Sequence, residues 1–102
     1  MYASLKKWVS IPYQYRPFVK YNGAGVRQFG ETVSSLCYPV GDVKLVTDVS
    51  GIQKVSTQQL YVLGSDTVGV NDAVLIDGEE RAILRITSYY RDGVVDLKVV
   101  YL

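Results

Sequence analysis

Two Asp-Gly dipeptides lie in the last third of the chain, and they constrain the fold more than any other feature. Asp77-Gly78 and Asp92-Gly93 each stand between runs rich in apolar and β-branched residues. Both positions of such a dipeptide tolerate positive φ, which a two-residue hairpin turn requires. The sequence therefore predicts three successive antiparallel strands, forming a C-terminal meander, at residues 73–76, 81–90 and 94–102.

The last of these strands alternates between apolar and charged residues over much of its length. Successive side chains of a strand face opposite sides of the sheet. We therefore predict that its apolar set faces the core: Val95, Leu97, Val99 and Tyr101. Asp96 and Lys98 are expected on the other face.

The rest of the chain shows the same preference for strands. It contains 17 Val, 5 Ile and 5 Thr but only 4 Ala, and β-branched side chains fit a pleated sheet better than a helix. A chain of 102 residues is expected to form one domain. We therefore predict a single all-β domain over residues 1–102, a small β-barrel or sandwich.

Earlier strands are predicted between turn signals and prolines. The candidate strands are residues 8–13, 26–29, 32–38 and 58–63, with a turn at residues 22–25. Pro12 and Pro17 place the first of these strands at an edge of the sheet, because proline has no N–H to donate to a ladder. Pro39 is expected to end the third strand.

Residues 41–57 are predicted to form a long mid-chain loop or hairpin. Residues 43–46 favour a strand and residues 48–51 a turn, but residues 52–57 are mostly polar, so strand pairing stays open here. Long ordered loops in small domains tend to carry function. This segment is therefore a first candidate for a functional site.

The side chains that most enzymes use are scarce. The chain has no His, which is the commonest general base and metal ligand, and it has one Cys. We therefore expect a protein that is not an enzyme, with no catalytic, cofactor-binding or metal-binding residue. Cys37 lies in a predicted strand and is expected to be a small buried apolar residue.

The same composition bears on location. A single Cys forms no disulfide within the chain, and nothing calls for an oxidising compartment. Unbroken apolar runs reach about four residues, far short of a membrane span. We expect a soluble, cytosolic protein without a signal peptide.

Charge is distributed unevenly along the chain. Residues 1–30 carry a charge of +5 with no acidic residue, whereas residues 31–102 carry −4. One interpretation is a solvated basic segment; another is a basic docking arm that binds an acidic surface, such as that of a neighbouring copy. The basic residues of this arm are Lys6, Lys7, Arg16, Lys20 and Arg27. Nucleic acid is a third partner to weigh, although the charge is spread thinly for that role.

Several segments from Thr32 onward follow one another in a distinctive order. They are Leu36-Cys37-Tyr38-Pro39, a polar loop, Gln59-Leu60-Tyr61-Val62, residues 72–78 (Asp-Ala-Val-Leu-Ile-Asp-Gly), Ile83-Leu84-Arg85-Ile86 and the terminal Val100-Tyr101-Leu102. This order resembles that of the head-closure proteins (stoppers, or head-tail connectors) in the neck of long-tailed bacteriophages. The resemblance covers about two-thirds of the chain.

This resemblance implies a small β-barrel of the SH3-like kind that forms a ring of six or twelve copies and uses no cofactor. The ring would lie between the portal or adaptor and the tail terminator or tail tube. It would close the DNA channel after packaging and provide the surface to which the tail attaches. The expected partners are copies of the chain itself, those neighbouring neck components and the packaged DNA end, contacted non-specifically, with no membrane. The expected location is the virion neck, and the host cytoplasm during assembly.

The resemblance also assigns a role to the mid-chain loop at residues 41–57, which by its position would face the channel. The residues expected there are Asp42, Val43, Lys44, Leu45, Asp48 and Lys54. Strand-capable segments from several copies can add backbone hydrogen bonds to one another around a symmetry axis.

Two other classes of protein stay open. One is a tail terminator or another neck or tail component. The other is a small β-barrel that binds single-stranded nucleic acid, since such barrels stack bases on exposed tyrosines beside a basic surface. The net charge of +1 argues against the second class.

Overall fold

The computed structural model describes residues 9–48 and 50–102, and every regular element within them is a β-strand. The strands are β1 (Ile11–Arg16), β2 (Phe18–Tyr21), β3 (Arg27–Phe29), β4 (Val33–Val40), β5 (Lys44–Thr47), β6 (Gln53–Ser56), β7 (Gln59–Leu63), β8 (Ala73–Ile76), β9 (Glu79–Ala82), β10 (Arg85–Arg91) and β11 (Val94–Tyr101). Their pairings are antiparallel throughout. The predicted all-β fold is confirmed.

Seven strands form one curled sheet, a half-barrel, in the order β10-β11-β7-β4-β1-β8-β9. Its two edge strands, β9 and β10, are joined by Ile83 and Leu84 alone. The Leu84 N–H donates a 2.8 Å hydrogen bond to the carbonyl of Tyr101, and Ile83 is buried. The single strand predicted at residues 81–90 is therefore wrong: it is divided at Ile83 and Leu84 into β9 and β10, and this connection draws the two edges of the sheet together.

Both hairpins of the predicted C-terminal meander form, β8 with β9 and β10 with β11, at opposite edges of the sheet. Asp77 and Gly78 have φ of 53° and 76°, and Asp92 and Gly93 have φ of 52° and 78°. Two successive residues with positive φ define the turn whose twist matches that of the flanking strands. These turns set the registers of β8 with β9 and of β10 with β11.

The first strand does not lie at an edge, as Pro12 and Pro17 had suggested. β1 pairs with β4 on one side and with β8 on the other. The β8 pairing begins only at Gln14, so Pro12 has a neighbouring strand on one side alone. Pro39 does not end β4, which continues to Val40, for the same reason. The pairing of β4 with β1 ends at Cys37, so Pro39 has no neighbouring residue on that side. Proline is tolerated in a sheet where one side needs no donor.

The core occupies one face of the curled sheet. Its fully buried side chains include Cys37, Leu60, Val62, Val74 and Val100, which come from β4, β7, β8 and β11. Tyr13 and Tyr15 of β1 pack into the same cluster. Cys37 is fully buried and free, which confirms the prediction, and burial raises the pKa of its thiol to about 12.

The last strand turns toward the core a different set of residues from the one predicted. Val100 and Leu102 belong to the core cluster, whereas Val95 and Leu97 are only half-buried, so their assignment to the core is wrong. Val99 is buried, as predicted, but it faces the opposite side of the sheet. The reason is that residues 99–102 are all apolar, so alternation selects no face there.

A polar cluster around Asp66 fixes the rim of the core. The Tyr13 hydroxyl donates to one carboxylate oxygen of Asp66 at 2.8 Å, and the Ser35 hydroxyl donates to the same oxygen at 2.9 Å. The Lys98 ammonium donates to the backbone carbonyl of Asp66 at 2.5 Å. Burial, followed by the Asp66 carboxylate, raises the pKa of Tyr13 above its ordinary range. Buried polar groups of this kind must be hydrogen-bonded to avoid a desolvation penalty.

Candidate interaction surfaces

Residues 41–57 form a hairpin, which we call the mid-chain hairpin. Its strands β5 and β6 make a separate two-stranded sheet, in which Leu45 pairs with Val55 and Val46 with Lys54. The strand predicted at residues 43–46 and the turn predicted at residues 48–51 are both present, apart from Val49, which lies outside the described residues. The pairing left open for residues 52–57 does form, over Gln53–Ser56.

Asp48 organises the tip of the mid-chain hairpin. One of its carboxylate oxygens accepts hydrogen bonds from the Ser50 N–H, the Ser50 hydroxyl and the Ile52 N–H, at 2.9, 2.7 and 3.0 Å. Its other oxygen forms an ion pair with the Lys54 ammonium at 3.1 Å. Because these donors favour the charged form, with Ser50 contributing most, the pKa of Asp48 is lowered well below its ordinary value.

The base of the mid-chain hairpin is locked to the end of the chain. The Ser56 hydroxyl and the Thr57 N–H both donate to the carbonyl of Leu102, at 3.0 and 3.1 Å. The buried amide of Gln59 donates to the Ser56 hydroxyl and to the carbonyl of Asp42, at 3.0 and 2.9 Å. These bonds anchor the hairpin at its root, where Ser56 is fully buried.

Beyond that root, the mid-chain hairpin exposes apolar side chains. Val43, Leu45, Ile52 and Val55 are 72%, 65%, 58% and 58% exposed. A two-stranded hairpin is marginally stable by itself in water, and a cluster of exposed apolar residues commonly marks an interaction surface. The predicted loop residues thus divide into two groups: Asp48 and Lys54 hold the tip together, while Val43 and Leu45 present apolar surface.

The predicted basic arm is only partly brought together. Lys6 and Lys7 lie outside the described residues. Arg16, in β1, forms an ion pair with Glu80 at 2.7 Å, and its guanidinium lies 6.0 Å from the centre of the Phe29 ring.

Arg27 contacts the same Phe29 ring from 5.8 Å and donates to the carbonyl of Asn71 at 3.1 Å. Arg16 and Arg27 are therefore engaged within the chain. Lys20, on the β2–β3 hairpin, is exposed, and docking by the arm stays a prediction.

A second surface lies on the face of the sheet opposite the core, and it was not anticipated from the sequence. Four tyrosines line a groove of about 510 Å³: Tyr61, Tyr89, Tyr90 and Tyr101. Leu97 and Val99 add apolar surface, and the charged residues of the lining are Lys44, Arg91 and Asp96. We call it the tyrosine groove.

Strand register produces the row of rings in this groove. Tyr61 pairs with Tyr38 on one side and with Val99 on the other. The Tyr38 and Tyr61 rings stack, with centres 6.2 Å apart and planes inclined by 20°. At the far side of the groove, Tyr89 and Tyr90 are 50% and 69% exposed, so their rings are accessible to a ligand.

A β-bulge shapes this exposed side. The single step from Tyr89 to Tyr90 on β10 is matched by a two-residue step from Leu97 to Val95 on β11, which leaves Asp96 as the extra residue. Bulges break the strict alternation of a strand and redirect side chains. On the bulged strand, the consecutive residues Asp96 and Leu97 therefore line one groove, which Tyr89 and Tyr90 of the facing strand also line.

Gly64 accommodates the bulge from the next strand. Its N–H donates to the carbonyl of Asp96 at 3.2 Å. A Cβ at this position would overlap the backbone carbonyl of Val95. The backbones approach this closely only because residue 64 has no side chain.

Among residues 9–48 and 50–102, no group of His, Cys, Asp and Glu is placed to hold a metal ion. The same residues include no helix of the length and apolar character needed to cross a membrane. No protein-family model matches the sequence, and no curated protein matches it.

Proposed function

We propose that this chain is a structural, non-catalytic ring component of the neck of a long-tailed bacteriophage. In this role, copies of the chain lie between the portal or adaptor and the tail and close the DNA channel after packaging. The observation that carries the proposal is the mid-chain hairpin, which has a buried root and an exposed apolar face. This hairpin adds to the support from the order of sequence segments, which resembles that of the head-closure family.

The hairpin has the features that a contact between subunits needs. Its root is held by Ser56 and Gln59, so it keeps a fixed direction relative to the sheet. Its exposed apolar pair, Leu45 and Val55, lies directly across one antiparallel ladder. Apolar area removed from water contributes about 25 cal/mol per Å², so burial against the next copy favours assembly.

Charge supports a head-to-tail arrangement. The exposed turn between β8 and β9 carries Asp77, the exposed Glu79 follows at the start of β9, and the β2–β3 hairpin carries Lys20. When identical subunits join head to tail, different surfaces of the chain meet, and a basic surface can face an acidic one. Such contacts close into a ring when the rotation between neighbours divides a full turn.

The first test is assembly of the purified chain with matched surface variants. Leu45→Ser and Val55→Ser change the hairpin face, and Val19→Ser, at a position 60% exposed on β2, is the control. Each is expected to change stability by less than about 0.5 kcal/mol, because the positions are exposed. Analytical ultracentrifugation and electron microscopy, with and without the upstream adaptor, should show rings for wild type and Val19→Ser but not for the hairpin variants.

Two results would contradict the proposal: a wild-type chain that stays monomeric on the adaptor, or hairpin variants that assemble normally. Rings that bind only tail tubes would favour a tail terminator instead.

The second test addresses closure of the channel. Deleting residues 44–54 removes most of the hairpin and leaves the seven-stranded sheet intact. Filled heads assembled with this variant should lose their DNA, whereas heads with Val19→Ser should keep it. Full retention of DNA by the deletion variant would refute a role of the hairpin in closure.

A further inference from the structure

The tyrosine groove is not used by the ring proposal, and its chemistry points to a ligand. We propose that it binds single-stranded nucleic acid, with unpaired bases stacked on the rings of Tyr89 and its neighbours. This inference does not depend on how the chain assembles. It rests on the size of the groove, the accessible rings and the charges at its border.

The groove is large enough for single unstacked bases of a nucleic acid but not for a duplex. A volume of about 510 Å³ is within the range of sites that hold small organic ligands. In a duplex, the faces of the bases are covered by their neighbours, so only unstacked bases can reach the rings. The groove therefore selects single strands over duplexes.

The rings are presented for stacking. Tyr89 and Tyr90 are half or more exposed, and both line the groove beside the bulge at Asp96. Behind them, Tyr61 is braced by its stack on Tyr38. Rigid aromatic side chains on a sheet are the common platform by which small β-domains hold single strands without reading sequence.

The charged residues of the lining fit a polyanion. Lys44 lines the groove and is exposed on the first strand of the mid-chain hairpin, where a phosphate can reach it. A cation beside stacked bases gives the salt-dependent part of single-strand binding.

The test measures binding of a fluorescent oligothymidylate of about ten nucleotides to the full chain. Tyr89→Ala should weaken binding about ten-fold or more, which is the cost of losing one stacked base. Tyr89→Phe keeps the ring and should bind like wild type. Tyr21→Ala, at a position 57% exposed outside the groove, is the matched control and should have no effect.

Two further measurements separate stacking from charge. Lys44→Gln should lower the slope of log affinity against log salt concentration by about 0.7, the value for one phosphate contact on a single strand. An abasic oligonucleotide of equal length loses every stacked base, so it should bind wild type more weakly than the thymidylate binds Tyr89→Ala.

Four results would overturn the inference. They are no saturable binding by wild type, equal binding of the abasic strand, equal binding of duplex, or equal loss in Tyr21→Ala. Self-association or capture of a protein that Tyr89→Ala abolishes, without oligonucleotide binding, would assign the groove to a protein partner and overturn it as well.

Discussion

Gly64→Ala is expected to be among the most damaging single changes in the chain, although it adds only one methyl group. The new Cβ would overlap the backbone carbonyl of Val95. That neighbour is backbone within a paired strand and, unlike the end of a flexible side chain, it cannot swing aside. Relief requires β11 to move away from β7 at the bulge.

The magnitude follows from what must move. Overpacking by a methyl in a closely packed region costs about 1–3 kcal/mol. Separation of the strands also loses the hydrogen bond from the Gly64 N–H to Asp96, worth about 1 kcal/mol net. We therefore expect a loss of roughly 2–4 kcal/mol, a large part of the 5–15 kcal/mol typical of a domain.

Urea denaturation followed by circular dichroism measures this loss directly. Gly41→Ala is the control, because a Cβ there meets nothing within 4 Å and should change the free energy of unfolding by less than about 0.5 kcal/mol. The melting temperature of Gly64→Ala should fall by about 8 °C or more, since 1 kcal/mol corresponds to about 4–8 °C in a domain near this size. Equal stability of the two variants would refute the close contact between Gly64, at the end of β7, and the backbone of the bulge on β11.

Two further predictions concern the mid-chain hairpin and the core. Because the donors around Asp48 lower its pKa, they stabilise the hairpin fully at pH values above about 4, the ordinary pKa of an Asp, and this stabilisation is lost as the pH falls further. An NMR titration of the Asp48 carboxyl should give a midpoint below the ordinary value. A midpoint at or above it would contradict the hydrogen-bond geometry. Val100→Ala should cost roughly 2–3 kcal/mol, as for other buried aliphatic truncations, whereas Val94→Ala, at a position 68% exposed, should cost less than about 0.5 kcal/mol. Similar urea midpoints for these two variants would contradict the assignment of the core face of β11.

The parts of the fold that could be predicted are those set by local rules. The meander follows from Asp77-Gly78 and Asp92-Gly93, since two successive residues with positive φ form the tight turn that joins adjacent antiparallel strands. The position of β1 could not be predicted from Pro12, because the length of each neighbouring strand decides whether a proline lacks a partner. That length is a property of the assembled sheet.

The face of β11 was ambiguous for a similar reason. Residues 99–102 are apolar at every position, and only the register with β7 decides that Val100 faces the core and Val99 the groove. The tyrosine groove could not be predicted either, because it also depends on how the strands pair. Tyr61, Tyr89 and Tyr101 come from three different strands, and the bulge opposite Tyr90 has no local signal. The one available sign was that six of the nine tyrosines lie on predicted strands.

The two proposed surfaces meet at Lys44, and this contact determines which variants can distinguish them. Lys44 belongs to β5 of the mid-chain hairpin and also lines the tyrosine groove. A change at Lys44 therefore bears on both assembly and nucleic-acid binding. Leu45 faces away from Lys44 on the same strand, because successive side chains alternate, and Tyr89 belongs to β10 in the main sheet. The surfaces are independent if Leu45→Ser loses assembly but still binds the oligonucleotide, and if Tyr89→Ala assembles but loses oligonucleotide binding. Loss of both assembly and oligonucleotide binding in both variants would show that the hairpin must contact its neighbour in a ring before the groove is complete.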